Sequence, residues 1–478
     1  MSFQTNLSII NFTPYDWTGY VLSETTGLIE WDFPKALASG REPYCPSVDV
    51  ANEDEIGESY EASIIVDVSH GSTPTAAQAD WPFSWIDQAH PIADLKLAVS
   101  GDSQDGYDYA ISAELGQYGT MRNPKGSTIS IPLSDQAWSP FILVGNDTSL
   151  EGNNPPLDWM EQNLPTIGCL TLQDIVLPGS HDAGISEINY AHGGNAANTQ
   201  AQSLNIEGQL QAGIRYFDIR PSISHGQFYT GHYTDQLGAN GESIADIISD
   251  INSFTAKGFN ELIILELSHS LDTDNDYDAF DDTQYSNLLT QISKNLKHLY
   301  TGHGSDLLTT VPLSDFISSG PAIVVICDEC DKNWLSANKF LNKGFYGPGQ
   351  LPVYNNYADT TELNTMQQDQ YTKFAAQTKK PDNPDQLFLL SWTFTQNVAD
   401  AIGIGGSRSS LLESATYFNG FLAQTGGTVP YTGPVAWAQK VGGVPNIIMI
   451  DNVPGDNRFL VTLCIGMTRW FSKDKACS

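Results

Sequence analysis

Residues 176–187 read VLPGSHDAGISE: a short apolar run, then Ser180-His181-Asp182 set between Gly179 and Gly184. The run is strand-sized and apolar enough to be buried. It nevertheless ends on a histidine and an aspartate. A strand end of this kind is where a barrel of parallel strands carries its chemistry. The question is what else the chain can bring beside His181.

Eight strand candidates can be read in order around and beyond this stretch: LQDIVLPG, IRYFDIRP, GQFYTGHY, ELIILELSH, AIVVICDE, LPVYNNY, LFLLSWTF and NIIMIDNV. Several are near-continuous apolar runs, as parallel strands covered on both faces should be. Helical patterns fall between them. SIADIISDINSFTAKG ends on a glycine stop signal, and TQYSNLLTQISKNLKHLYTG has apolar residues at helical spacing. ELNTMQQDQYTKFAAQ follows the sixth candidate, and NRFLVTLCIGMTRWFSK the eighth. Residues 161–478 are therefore expected to form an α/β TIM-type barrel, irregular or incompletely closed.

Upstream the rhythm differs. Residues 1–145 hold short alternating runs, EASIIVDV, LKLAVSG, YDYAISAEL, STISIPL and SPFILVG, separated by turn-rich stretches. That pattern predicts an N-terminal all-β antiparallel sandwich serving as an accessory domain. Residues 146–160, polar and rich in Gly, Asn and Pro, read as a linker. The chain is thus expected to be multidomain, and its 478 residues suffice for that.

Hydrophobic residues make up 40% and aromatic residues 10% of the chain, which suits globular folding rather than disorder. Lys and Arg number 22 against 56 Asp and Glu, a net charge of −34. A field of that sign repels nucleic-acid phosphates, so no nucleic-acid partner is expected, and anionic bilayers gain nothing from it. The opening MSFQTNLSIINFTPYDWTG lacks a basic n-region, a long apolar core and a small-residue cleavage site. No apolar run approaches the ~20 residues that cross a bilayer. These features predict a soluble chain, cytoplasmic or secreted without a leader. The six cysteines, Cys45, Cys169, Cys327, Cys330, Cys464 and Cys477, are scattered and read as buried or free thiols. Cys327 and Cys330 have redox or metal spacing, but no second pair or nearby histidine accompanies them.

At the predicted C-terminal strand ends stand His181 and Asp182, then Asp218 and Arg220, then His232, then Glu266, Ser268 and His269, and finally Asp451. Two histidines, carboxylates and an arginine would then face one mouth. Asp218 reads equally as an interior hydrogen-bonding residue, and His269 as a strand cap. His192 and His225 lie in polar loops and read as surface residues. The coincidence of suitable groups at several strand ends outweighs any one of them.

LPGSHDAG, QLQAGIRYFDIRP and GQFYTGHY, in this order and spacing, resemble the X-region of phosphatidylinositol-specific phospholipase C. The resemblance covers roughly residues 165–455, most strongly 171–235, and carries the family patterns PG[ST]HD and GxRxxDxR. It implies a phosphodiesterase that cleaves between phosphate and diacylglycerol and forms a cyclic phosphate through an internal hydroxyl. It implies His181 as general base oriented by Asp451, His232 as general acid oriented by Asp182, and Arg220 on the non-bridging oxygens. Calcium-requiring relatives carry an acidic residue where Arg220 stands and an Asn where Asp182 stands. The resemblance therefore implies a metal-independent reaction without a cofactor, although Glu266 matches a place that can hold a metal ligand.

The head group is less well defined. Family members of the bacterial type grip inositol with a strand-five arginine and a strand-six aspartate. Here the comparable stretches read Ile326-Cys327-Asp328 and Asn355-Asn356-Tyr357. Asp218, Glu266, Asn355, Tyr357 and Trp392 are the candidate substrate contacts. Tyr357 reads equally as a core tyrosine, and Trp392 as barrel packing. The expected partner is a phospholipid or an inositol-phosphate-containing substrate. Trp17, Trp31, Trp81, Trp85 and Trp138 in the first domain read as sandwich core or as a membrane-interface or glycan contact. Two other readings compete: a catalytically retired barrel acting as a lectin- or toxin-like binder, and a metal-dependent glycerophosphodiesterase. The second needs a Glu-x-Asp ligand pair, where this chain has Asp218-Ile219-Arg220.

Overall fold

The structure, a computed structural model, describes residues 149–475 apart from 303–306, 379–382, 396–409, 426 and 456–457, together with residue 477. Before residue 149 it describes nine strands and three residues of one turn. Cys45, Trp17 and Trp85 lie outside the described residues, as do the side chains of Trp31 and Trp81. Two compact units emerge. The first comprises Met1–Pro156, Gly420–Gly443 and Asn457–Trp470; the second comprises Leu157–Asn419, Val444–Asp456 and Phe471–Ser478.

The first unit carries two five-stranded sheets. One runs in the order Ser149–Glu151, Trp138–Asn146, Ser2–Phe12, Ser59–Asp67, Leu28–Asp32. The other runs Thr18–Gly19, Trp81–Ser84, Pro91–Ser100, Asp108–Leu115, Thr128–Pro132. All five alternating runs read from the sequence are strands. Pairing is antiparallel except that Ser2–Phe12 lies parallel to Trp138–Asn146, which an all-antiparallel reading misses. Trp138 packs against Phe421, with ring centroids 4.9 Å apart. The helix Phe459–Phe471 also belongs largely to this unit. Ten of its thirteen residues are buried, and a Cβ on Gly466 would lie 2.2 Å from the Phe12 ring. Only a glycine lets the helix and that ring approach so closely.

The second unit is built on eight parallel strands: Leu177–Ser180, Tyr216–Ile219, Leu262–Leu267, Ala322–Cys327, Phe345–Tyr346, Val353–Asn355, Leu387–Trp392 and Ile447–Ile450. All but one of the pairs of strands adjacent in sequence are hydrogen-bonded, and the first strand pairs with the last. That cyclic order is the topology of a curled barrel. One pairing is missing, between Phe345–Tyr346 and Val353–Asn355, so the wall stays open there. The longer strands are buried at every residue, as their apolar runs require. Helices Ile244–Thr255 and Asp282–Asn295 begin where expected. Ser243 caps the first through the Asp246 N–H, and Asp281 forms a capping box with Gln284 on the second.

One strand candidate takes a different place. GQFYTGHY is not a barrel strand. Gln227–Thr234 lies in a separate sheet ordered Ala191–His192, Leu237–Ser243, Gln227–Thr234, Pro221–Ser224, Leu271–Asp272. Only Thr230 and Gly231 in it are buried, and both of its ends are exposed, unlike the barrel strands. The vacant barrel position is filled by Phe345–Tyr346, two residues long and followed by Gly347-Pro348-Gly349.

The cysteines are also reassigned. Cys169 pairs with Cys477 and Cys327 with Cys330, leaving Cys464 as a buried free thiol. The first pair joins residues 308 positions apart, which no local spacing could announce. Among the described residues no helix is long and apolar enough to cross a membrane.

At the N-terminal ends of the barrel strands a buried ion pair ties the wall together. Arg215 Nε donates to Glu261 Oε2 at 2.7 Å, and both side chains are fully buried. Glu261 Oε1 accepts the Met160 and Glu161 N–H groups at the start of helix Trp159–Ile167, each at 3.0 Å. Arg215 also donates to the Leu157, Leu210 and Ile214 carbonyls. Removing one partner strands the other charge in the interior. Glu261→Ala is expected to cost about 3–5 kcal/mol, read as a lower urea midpoint. Replacing both partners by apolar residues of similar volume should cost less than this single change.

Candidate active site

The first barrel strand ends as its sequence suggests. His181 adds one more ladder bond, its N–H donating to Ile450 O at 3.0 Å. Asp182 then turns the chain with φ +44°, a left-handed conformation that Asp tolerates better than most residues. Asp218 secures that turn: its Oδ2 accepts the Asp182 N–H at 3.1 Å, and its carbonyl accepts the Ala183 N–H at 2.8 Å. Gly184 follows, and a Cβ there would sit 2.3 Å from Thr230 Cγ2. This glycine lets the strand that bears His232 lie directly against the loop that bears His181.

The side chains converge. His181 Nδ1 lies 2.7 Å from Asp451 Oδ1, and His181 Nε2 lies 2.7 Å from Arg220 Nη2. Arg220 Nε is 2.9 Å from Asp182 Oδ1, and its Nη2 is 3.1 Å from Asp218 Oδ2. Asp182 Oδ2 stands 3.7 Å from His181 Nε2 and 3.6 Å from His232 Nδ1. One carboxylate oxygen thus lies within 4 Å of both rings. The His181, Arg220 and His232 side chains are 19%, 22% and 27% exposed, against 0%, 4% and 6% for Asp182, Asp218 and Asp451. The rings and the guanidinium reach solvent while the carboxylates lie beneath them.

His232 is held differently from the expectation. Its Nδ1 donates to the Thr199 carbonyl at 2.9 Å, a closer contact than Asp182. A main-chain carbonyl fixes a ring as well as a carboxylate does, and the sequence offers no sign of it.

Electrostatics follow from this packing. Burial works against charge on Asp218, but Arg220, then His181 and the Asp182 N–H, outweigh it and hold the carboxyl at about 2. Burial likewise opposes charge on Arg220, and Asp182 and Asp218 more than compensate, raising its pKa. For His181, burial pulls the pKa down, Asp451 and Asp182 push it up, and Arg220 pulls it down again. The result is a rise from 6.5 to about 9. A guanidinium N–H at 2.7 Å from Nε2 needs a lone pair there. A proton on Nε2 and Arg220 therefore compete for the same site. The Arg220 contact is a hydrogen bond only when His181 is neutral with its single N–H on Nδ1, facing Asp451.

His181, Asp182 and Asp218 bring ligand-type atoms within 4.8 Å of one another. Arg220 lies against one atom of each, so a fixed positive charge already stands where a cation would have to enter.

The other expected residues separate. Glu266 is buried and hydrogen-bonded to Tyr216 and Asp328. Burial, then Asp328 and Asp218, raises its pKa well above the usual range. Its side chain lies in the barrel interior, held by Tyr216 and Asp328. Trp392 is 1% exposed and its indole N–H donates to Phe418 O at 2.8 Å, so it packs the barrel. Asn355 and Asn356 are exposed, and Asn356 Oδ1 accepts from Lys373 Nζ at 2.7 Å. Tyr357 is 57% exposed and no core residue. His192 pairs with Tyr277, and His225 lies tilted against Tyr190. His269 Nδ1 lies 2.9 Å from Ser268 Oγ, which donates to Asp218 Oδ1 at 3.0 Å. Ser268 therefore joins the site by way of Asp218.

No family model matches the chain. It is similar in sequence to PI-PLC X domain-containing proteins and to a bacterial 1-phosphatidylinositol phosphodiesterase. It is 29% identical to the PI-PLC X domain-containing protein 2 of Homo sapiens over 174 residues, 31% of this chain and 52% of that protein. It is 27% identical to the 1-phosphatidylinositol phosphodiesterase of Listeria monocytogenes over 273 residues, 53% of this chain and 77% of that protein. The chain spans about half or less of the length of the X-domain proteins it matches. A solved mutant of the phosphatidylinositol-specific phospholipase C from Staphylococcus aureus aligns over 66% of this chain and 97% of its own, with 16% identity and a TM-score of 0.46.

Proposed function

We propose that this chain cleaves phosphatidylinositol, or a related lipid or glycan phosphodiester, by a phospholipase C-type reaction that yields a cyclic phosphate and diacylglycerol. One observation carries the reading: His181 and His232 flank a single Asp182 oxygen, and Arg220 stands against the His181 nitrogen that would take the proton.

In this reading a head-group hydroxyl attacks phosphorus while His181 Nε2 takes its proton. Asp451 accepts the Nδ1–H, fixes the tautomer and stabilises the imidazolium that forms. Arg220 leaves Nε2 for the non-bridging oxygens, where a fork of N–H donors fits phosphate geometry. The move frees the lone pair at the moment the base is needed. His232 gives its proton to the departing glycerol oxygen as the P–O bond breaks. One imidazole can take a proton on a ring nitrogen while the other residue's ring gives one up, which suits a base and an acid working together.

Phosphatidylinositol vesicles and phosphorus NMR test the proposal. The expected product is a water-soluble inositol cyclic phosphate. An inert protein, or release of free glycerophosphate, overturns it. Because Arg220 supplies the positive charge, full activity is also expected in excess chelator. A loss of activity on chelation that added calcium restores would contradict the role given to Arg220.

A further inference from the structure

We propose that Gln202 is a positioning residue that holds His181 and Asp451 in register; the inference deepens the reading of His181 as base and rests on it. The two residues are 270 positions apart, just past the ends of the first and last barrel strands. The ladder between those strands stops at Ser180 and Ile450, with one further bond from the His181 N–H to Ile450 O. Asp451 lies beyond its reach. Gln202, fully buried, takes over from there. Its Nε2 donates to the His181 carbonyl at 2.8 Å and to the Ile450 carbonyl at 3.3 Å, and its Oε1 accepts the Val453 N–H at 2.9 Å. An amide is suited to this, since it offers two donors and an acceptor at one tip.

The neighbours of Gln202 reinforce the link. Ala201 O accepts the Asn452 N–H at 2.8 Å, and Ser203 Oγ donates to Asn452 Oδ1 at 2.7 Å. Thr199 O accepts from His232. The run 199–203 therefore touches the loops of base, acid and orienting carboxylate. A comparable staple exists at the opposite barrel end. Asn446 donates to the Leu172 and Gln173 carbonyls, and its Oδ1 accepts the Phe388 N–H. Asn446 thus provides a matched control far along the same strands.

The experiment compares Gln202→Met with Asn446→Leu in the full chain. Both should unfold at lower urea. Gln202→Met is expected to lower kcat on phosphatidylinositol vesicles on the order of 10–100-fold, as outer partners of a working imidazole do, with KM unchanged. The groups facing His181 are Asp451, Asp182, Asp218 and Arg220. Loosening Asp451 alone should move the His181 titration, followed by NMR, toward lower pH. Asn446→Leu should change neither kcat nor the titration. If Gln202→Met will not fold, Gln202→Asn keeps a neutral amide but is one methylene too short to span the same carbonyls and N–H, and the same shifts are expected. Equal behaviour of the Gln202 and Asn446 variants overturns the proposal. A wild-type protein inert on vesicles sinks the activity reading instead, and the NMR comparison still decides the role of Gln202.

Discussion

The His181→Ala protein is expected to keep its circular dichroism spectrum and to release no measurable cyclic phosphate from phosphatidylinositol vesicles. The fold should survive because the His181 side chain is partly exposed and its main-chain ladder bond does not depend on the ring. Chemistry should not survive, because three effects fall together. The proton acceptor disappears, typically worth about 10²–10⁴-fold in rate. Asp451 loses its partner at 2.7 Å and is left as a buried acid facing an empty site. Arg220 loses its contact on Nε2 and settles wholly onto Asp182 and Asp218, away from where the phosphate would lie. Vesicle assays at high protein concentration can follow a drop of this size. Turnover within tenfold of wild type would remove His181 from the mechanism.

Much of this architecture can be read from the sequence, for reasons that also explain the misses. Seven of the eight strand candidates lie in the barrel sheet, because parallel strands covered on both faces must be continuously apolar. GQFYTGHY misleads because a strand of the smaller side sheet also carries aromatic and β-branched letters. Phe345–Tyr346 escapes because two residues have no period. At the site, the letters that can hold a charge or a proton are visible: His181, Asp182, Asp218, Arg220, His232 and Asp451 all meet in one network. What holds them is not visible. The Thr199 carbonyl on His232 has no letter, since every residue has a carbonyl. Gln202 sits in AQSLN, which reads as an ordinary polar loop until the fold closes the first strand onto the last. The first arginine of GIRYFDIRP looks like the second, yet Arg215 serves the far end of the barrel and Arg220 the site.

Asp451→Asn should show the converse of the alanine change: the ring stays, but its proton moves to the wrong atom. Asp451 Oδ1 accepts from His181 Nδ1 in the wild type, which leaves the Nε2 lone pair toward Arg220 and the substrate. An asparagine can turn its NH₂ to that position and donate, which forces the hydrogen onto Nε2 and abolishes the base. Losing a carboxylate of this kind typically lowers kcat about 10⁴-fold. The pH profile should move as well. Burial lowers the His181 pKa, but Asp451 and then Asp182 carry it from 6.5 to about 9. The base is active only when neutral, so the wild-type kcat/KM should climb until about pH 9. Without the Asp451 charge the limb should fall toward or below the ordinary 6.5. Stability should follow the same proton. A raised folded-state pKa means the imidazolium stabilises the fold fully below pH 6.5, and that contribution fades as pH rises through about 9. Asp451→Asn should flatten that dependence in urea titrations between these two pH values. A variant with near-wild-type rate and an unmoved limb would mean that Asp451 does not set the His181 tautomer.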